Sequence, residues 1–130
     1  MNIIGAFGSM SVSDIAAAKA FYSETLGLTL KDEKMGLQFQ LPGGGELFVY
    51  EKSDHQPAVF TVFNLLVDDI DGAVEELVGK GASQEHYDNI PDIPAKQDDK
   101  GILRGKAAGM GPDITWFKDP AGNIFAVMEP

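Results

Sequence analysis

The sequence predicts an α+β fold in which one unit, made of a strand, a helix and a small antiparallel meander, occurs twice. Two internal offsets indicate this duplication. The shorter offset aligns Val12, Asp14, Ile15 and Ala18 with Val67, Asp69, Ile70 and Ala73. The longer offset aligns Pro42, Gly44, Val49 and Glu51 with Pro120, Gly122, Val127 and Glu129. The 130 residues suffice for one compact domain over 1–130, with a first module at about 1–54 and a second at about 58–130.

The elements of the first half follow from local signals. Strands are predicted at 3–12, 37–41 and 47–51, with a further short strand near 29–32. A helix is predicted over 14–26, because Asp14 can cap it, apolar residues recur at helical spacing, and Gly27 can end it. The Pro and Gly residues at 42–45 predict a hairpin turn between the last two strands.

The second half repeats this order with a longer connection. Strands are predicted at 59–67, 114–118 and 124–129, and a helix over 69–80 that Asp69 caps and Gly81 ends. The turn between the last two strands has the sequence Asp-Pro-Ala-Gly-Asn. The difference between the two offsets is accounted for by extra residues within 83–112. This segment is predicted to be mostly loop, either a functional flap or a solvated excursion, with a strand at 101–110 as an alternative.

Composition excludes several function classes. Ten Lys and Arg against 20 Asp and Glu give a net charge of −10, which disfavours binding to nucleic acid or an anionic membrane. The absence of cysteine excludes disulfides, thiolate nucleophiles and Cys-ligated metals. No stretch approaches the roughly 18 apolar residues that a membrane span needs, so a cytoplasmic protein is expected.

Two segments resemble a known family. VSDIAAAKAFYSETLGL is similar to the first helix of the vicinal oxygen chelate superfamily, and FKDPAGNIFAVME is similar to its closing hairpin. The superfamily includes glyoxalase I, extradiol dioxygenases, and the fosfomycin- and bleomycin-resistance proteins. The resemblance implies two tandem βαβββ modules whose curved mixed sheets form a cup. In metal-dependent members each module supplies two ligands, one on its first strand and one on its last.

The resemblance also locates those metal-ligand positions. They fall on Phe7 and Phe48 in the first module and on Val62 and Ala126 in the second. None of these side chains has an oxygen or nitrogen that could bind a divalent ion. The sequence therefore predicts a protein without metal or other cofactor, and it puts glyoxalase isomerisation and ring cleavage in doubt.

Strand alternation predicts what else lies on the cup face. Residues of the same parity as these four positions are mostly polar or aromatic, and those predicted to contact a ligand are Ser9, Gln38, Gln40, Tyr50, Asn64, Trp116 and Met128. The opposite parity is more uniformly apolar and should pack on the helices. Glu51 and Glu129, which end their strands, fall on that opposite parity. The eleven cup residues suit a pocket for a flat organic molecule oriented by a few hydrogen bonds.

We therefore predict a metal-free protein that binds a small planar or amphipathic molecule, as bleomycin-resistance proteins do by sequestration. One alternative is a lyase, isomerase or dioxygenase of the same superfamily, either with a metal held by unexpected residues or with a cup carboxylate as base. Another is a scaffold or partner-binding protein whose cup is filled by its own side chains. A homodimer is expected because short sheets leave edges that need cover. His55 and His86 have no ligand partner at metal-binding spacing.

Overall fold

A computed structural model describes residues 1–130 and has an α+β fold. The contacts within the chain divide it into two compact units, Met1–Pro57 and Ala58–Pro130. Each unit contains one helix and one sheet, and in each the order begins with a strand followed by a helix and further strands. The predicted fold class is confirmed. No helix of the structure has the length and apolar character needed to cross a membrane.

The first unit has one helix and four strands in the order βαβββ. Its elements are β1 (Gly8–Val12), α1 (Ile15–Ala20), a π-helical turn (Phe21–Thr25), β2 (Thr29–Asp32), β3 (Leu37–Gln40) and β4 (Glu46–Glu51). The strand order in the sheet is β1-β4-β3-β2, in which β1 runs parallel to β4 and the other pairs are antiparallel. This order leaves one side of β1 unpaired.

The predicted helix over 14–26 forms, but not as one regular α-helix. Asp14 caps it by accepting hydrogen bonds from the N–H groups of Ala16 and Ala17 at 3.0 and 3.1 Å. From Phe21 the helix widens into the π-helical turn, where the Leu26 N–H donates to the Phe21 carbonyl at 2.9 Å. Phe21 and its neighbour Tyr22 are both buried, with their rings edge to face at 5.2 Å. Apolar periodicity does not register this local change of pitch.

The predicted first strand is too long at its beginning. It was expected over 3–12, whereas β1 begins at Gly8, which lies opposite Leu47 of β4. The residues before Gly8 have no strand beside them, and Ile3 and Ile4 are 73% and 96% exposed. Apolar residues alone do not make a strand, because its backbone groups need a partner strand. For this reason Phe7, predicted on the strand, lies just before it.

The second unit has a sheet of five strands. Its elements are β5 (Thr61–Leu66), α2 (Ile70–Gly79), β6 (Ser83–Gln84), β7 (Leu103–Arg104), β8 (Asp113–Lys118) and β9 (Ile124–Glu129). The order is β5-β9-β8-β6, and β7 also pairs with β8. As in the first unit, the first strand runs parallel to the last. The predicted strand at 59–67 is shortened to Thr61–Leu66, and the strand expected at 101–110 is limited to β7.

The extra residues of the second unit divide into two short strands the strand that corresponds to β2 of the first unit. In the first unit a single strand, β2, lies on the side of β3 that faces away from β4. In the second unit β6 pairs with the end of β8 at Phe117 and Lys118, and β7 pairs with its beginning at Asp113 and Ile114. Residues 85–102 therefore leave the sheet after β6 and return to it at β7. We call residues 85–102 the covering segment.

The core lies on the face of each sheet that alternation assigned to the helices. The buried residues of this parity are Leu37, Phe39, Leu47, Val49, Phe117, Phe125 and Val127. In the closing hairpin Asp119 organises the turn. Its carboxylate accepts hydrogen bonds from the N–H of Ala121 at 2.9 Å and from the N–H and side-chain amide of Asn123 at 2.8 and 2.9 Å. Gly122 supplies the positive φ of 85° that the turn requires.

Candidate functional site

The face of the first sheet that was predicted to bind a ligand carries a row of aromatic rings. Phe48 and Tyr50 on β4 are stacked with ring centroids 5.9 Å apart and an interplanar angle of 20°. Phe7 meets Phe48 edge to face at 6.4 Å. The rings of Phe48 and Tyr50 are partly exposed, and Phe7 is 61% exposed. We call Phe7, Phe48 and Tyr50 the aromatic row.

Polar side chains predicted beside these rings have different environments. Gln38 lies opposite Phe48 in the sheet and donates from its amide to Glu46 at 2.5 Å. Glu46 also accepts from Lys31 at 2.5 Å, and this hydrogen bond lowers the pKa of the Glu46 carboxyl. Ser9 is exposed on β1 opposite Phe48, and Gln40 is exposed at the end of β3. Glu46 is therefore a carboxylate near neutral pH that orients the amide of Gln38.

An open cleft of about 660 Å³ adjoins the aromatic row at the end of the sheet. It is bounded by the first turn of α1, the turn between β2 and β3, and the end of β4. Its lining residues are Ile15, Ala16, Lys19, Glu33, Met35, Gly36, Leu37, Phe48, Tyr50 and Glu51. A Cβ atom on Gly36 would lie 2.8 Å from both the Phe48 ring and the Val49 carbonyl oxygen. Glycine at this position therefore lets the Phe48 ring lie against the β2–β3 turn.

Three charged side chains line this cleft. Lys19 and Glu33 form an ion pair with 2.8 Å between the charged atoms. Glu51 accepts a hydrogen bond from the Ile15 N–H at 3.1 Å and forms no ion pair. Strand alternation assigned Glu51 to the opposite face, but β4 ends at this residue and the cleft extends around the strand end. The position of Glu51 as the last residue of its strand, which the sequence indicated, is therefore a better guide to its environment than strand alternation.

The equivalent face of the second sheet is covered by the chain itself. Trp116 and Ala126 lie in adjacent strands, are 9% and 0% exposed, and form a buried cluster with Leu103. Partly buried residues that pack against this cluster include Tyr87, Ile90, Ile93 and Ala95 of the covering segment, and Ile114, Ile124 and Met128 of the sheet. The Tyr87 ring meets Trp116 edge to face at 5.8 Å. Burial raises the pKa of the Tyr87 hydroxyl, with a further contribution from the charge of Glu85.

Polar contacts hold the ends of the covering segment together. The Gln97 side chain accepts from the Tyr87 N–H at 2.7 Å and donates to the carbonyls of Glu85 and Gly101 at 3.0 and 2.7 Å. Arg104 donates to both Asp71, on α2, and Asp98. The hydrogen bonds from Arg104 lower the pKa of the Asp71 carboxyl.

Three residues that were predicted to touch a ligand contact the protein's own residues instead: Trp116, Ala126 and Met128.

Two remaining predicted site residues lie on β5. Val62 is partly exposed and falls at an irregularity in the pairing of β5 with β9. Asn64 is exposed and lies opposite Ala126. The structure therefore groups Phe7, Phe48 and Tyr50 in the first unit, and it groups Trp116, Ala126 and Met128 in the second.

The metal chemistry that the resemblance implies does not fit these residues. At the four corresponding positions the structure has the rings of Phe7 and Phe48 and the alkyl groups of Val62 and Ala126, none of which has an oxygen, nitrogen or sulfur atom that could coordinate a divalent ion. No group of three or more His, Asp or Glu side chains is arranged to hold a metal ion. His55 instead shares a hydrogen bond of 2.6 Å with the Ser11 hydroxyl.

One comparison with known proteins matches a family over most of the chain. A sequence model described as the glyoxalase/bleomycin resistance protein/dioxygenase superfamily matches residues 4–127. No curated protein matches the chain at a significant level.

Among solved structures, TnmS3, an antibiotic binding protein from Streptomyces sp. CB03234, is 25% identical with a TM-score of 0.68, and the match covers 100% of this chain and 98% of that chain. A superfamily member from Sphaerobacter thermophilus DSM 20745 is 24% identical with a TM-score of 0.67, covering 98% of each chain. The fosfomycin resistance protein FosX from Listeria monocytogenes is 13% identical with a TM-score of 0.70, covering 100% of this chain and 95% of that chain. The last two likenesses concern the fold alone.

Proposed function

The chain belongs to the glyoxalase/bleomycin resistance protein/dioxygenase superfamily, and we propose that it binds a small planar or amphipathic organic molecule without a metal. The binding site in this proposal is the aromatic row of the first unit together with the adjoining cleft. The observation that carries the proposal is the stacked pair Phe48 and Tyr50, which stays partly exposed beside about 660 Å³ of open space. This volume lies within the usual range for small-molecule sites.

The residues of the first unit have complementary roles in this proposal. Phe48 and Tyr50 offer a stacking surface, and Phe7 extends it at its edge. Gln38 and Ser9 supply polar groups at the same face, while Gln40 lies at its rim. The antibiotic binding described for TnmS3, which is similar over the whole chain, supports sequestration of a small molecule.

The second unit has fewer residues that are accessible to a ligand. Val62 and Asn64 are accessible on β5, and they remain proposed contacts for a ligand at the second sheet. Trp116, Ala126 and Met128 contact a ligand in this proposal only when the covering segment is displaced. A scaffold protein with a filled ligand face is the second candidate function, and the burial of Trp116 by the covering segment favours it for this unit.

Binding is tested by titrating planar organic probes into the protein and into two alanine variants. Phe48→Ala should weaken binding by roughly 10-fold to 100-fold, the usual effect of truncating an aromatic anchor. Met110→Ala is the control, because Met110 is also an exposed apolar side chain but lies outside the cleft and outside the apolar surface near the edge strands. Equal effects of both variants would contradict the assignment, and failure of every planar probe to bind would favour the scaffold function.

Metal independence has its own measurement. Protein purified without added metal or chelator should contain much less than one equivalent of zinc, nickel, iron or manganese, and its probe affinity should not change with EDTA. A stoichiometric metal that is required for binding would contradict the proposal.

We also propose a homodimer. The first strand of each sheet has an unpaired side, and apolar residues near these strands are exposed: Ile3, Ile4, Val59, Phe60 and Leu66. Sedimentation at micromolar concentration should give twice the mass of one chain, and a monomer would contradict this assignment. The cytoplasmic location expected from the sequence stays a prediction.

A further inference from the structure

We propose that the molecule bound in the cleft of the first unit is an aromatic cation, and that the Glu51 carboxylate is its counter-ion. This inference rests on the proposed function and adds the charge of the ligand to it. Its basis is the position of one carboxylate without an ion-pair partner in the same cleft as the stacked rings of Phe48 and Tyr50.

Glu51 differs from its counterpart in the second unit. The longer internal offset, which relates the two hairpins, places Glu129 at the equivalent position. Lys106 donates to Glu129 at 2.6 Å, so that the charge of this carboxylate is balanced within the protein. Glu51 accepts only a backbone N–H, from Ile15 at 3.1 Å. Of the two related carboxylates, the one at the open cleft therefore keeps its charge available to a ligand.

The other charges of the cleft do not cancel that of Glu51. Lys19 and Glu33 balance each other at 2.8 Å, which leaves one net negative charge among the lining residues. A planar cation stacked on Phe48 or Tyr50 would gain attraction from the ring face in addition to the attraction of the carboxylate. The net charge of −10 on the chain also favours the approach of cations over that of anions.

The experiment compares two acridines that share one ring system and differ in charge at neutral pH. The first is 9-aminoacridine, a cation, and the second is acridine-9-carboxylate, an anion. The wild-type protein should bind the cation about 10-fold or more tightly than the anion. Added NaCl should weaken binding of the cation because it screens the charges.

Two matched variants isolate the carboxylate. Glu51→Gln keeps a side-chain oxygen that can accept the Ile15 N–H, so the protein should fold, which circular dichroism and thermal unfolding would verify. This variant should bind the cation about 5- to 10-fold more weakly and lose most of the salt dependence. Glu129→Gln should bind the cation as the wild type does, because Lys106 already neutralises that carboxylate.

The outcomes separate this inference from the proposed function. If Phe48→Ala weakens both acridines but Glu51→Gln changes neither, the site is in the cleft and the charge assignment is wrong. Preference of the wild type for the anion would overturn the inference in the same way. If neither acridine binds, or if Phe48→Ala binds both as tightly as the wild type, the proposed site itself is wrong.

Discussion

Truncation of Gln97 should loosen the covering segment without unfolding the second unit. The Gln97 side chain connects three backbone groups, the N–H of Tyr87 and the carbonyls of Glu85 and Gly101. These bonds link the two ends of the segment to each other. Gln97→Ala removes them while leaving the apolar contacts of the segment with Trp116 in place. The segment should therefore open more often but still close.

The size of the effect follows from the three hydrogen bonds. Each contributes about 0.5 to 1.5 kcal/mol net, because water competes for the same groups in the open state. The three distances, 2.7, 3.0 and 2.7 Å, are those of well-formed bonds. Since Gln97 is only partly buried, we expect about 2 to 3 kcal/mol, which corresponds to a roughly 30- to 150-fold larger opening equilibrium constant.

Amide hydrogen exchange measures this opening. The N–H of Glu85 donates to the Trp116 carbonyl and the N–H of Asp98 donates to the Ile102 carbonyl, both at 2.8 Å. These amides should exchange roughly 30- to 150-fold faster in Gln97→Ala, and Trp116 should become more accessible to quenching by acrylamide. Gln40→Ala, which truncates an exposed glutamine of β3, is the control. Unchanged exchange at both amides would refute the argument that Gln97 holds the segment closed.

Three further changes test other parts of the structure. Asp119→Ala should lower the free energy of unfolding by about 2 to 4 kcal/mol in urea titrations, because it leaves N–H groups in a buried turn without an acceptor. Asp71→Asn should be less stable than the wild type at neutral pH. That difference should shrink as the pH falls below 3.8, the ordinary pKa of the carboxyl, because hydrogen bonding to Arg104 lowers the pKa of Asp71 and the benefit is lost on protonation. Gly36→Ala should displace the Phe48 ring and weaken probe binding in fluorescence titrations, whereas unchanged affinity would contradict the cleft assignment.

The sequence predicted much of the fold because its strongest signals are local. Asp14 and Asp69 cap the two helices, and Gly27 and Gly81 follow them with φ of 70° and 86°. The turn at Asp119 depends on bonds between residues at most four positions apart. Strand alternation then assigned the helix-facing side of each sheet correctly, since one residue fixes the parity of a whole strand.

The sequence did not predict features that depend on distant partners. The beginning of β1 is set by where β4 begins, and the course of the covering segment is set by its contacts with β8 and β9. Residues 85–102 have no sustained period, so their apolar side chains gave no indication of the surface on which they pack. Glu51 was assigned to the wrong environment because alternation describes the faces of a sheet and not the space beyond the end of a strand.

The two units differ in how the sheet face opposite the helix-facing core is covered. Each places aromatic or apolar residues on the sheet face opposite its helix-facing core, and an exposed apolar face is unfavourable in water. In the second unit the inserted residues bury this face, so that Trp116 is 9% exposed. The first unit has no such insertion, and its rings remain partly exposed beside the cleft. The fold does not require this face to be open, since the second unit covers it with its own residues. The open face of the first unit is therefore where a bound molecule would gain most from burial.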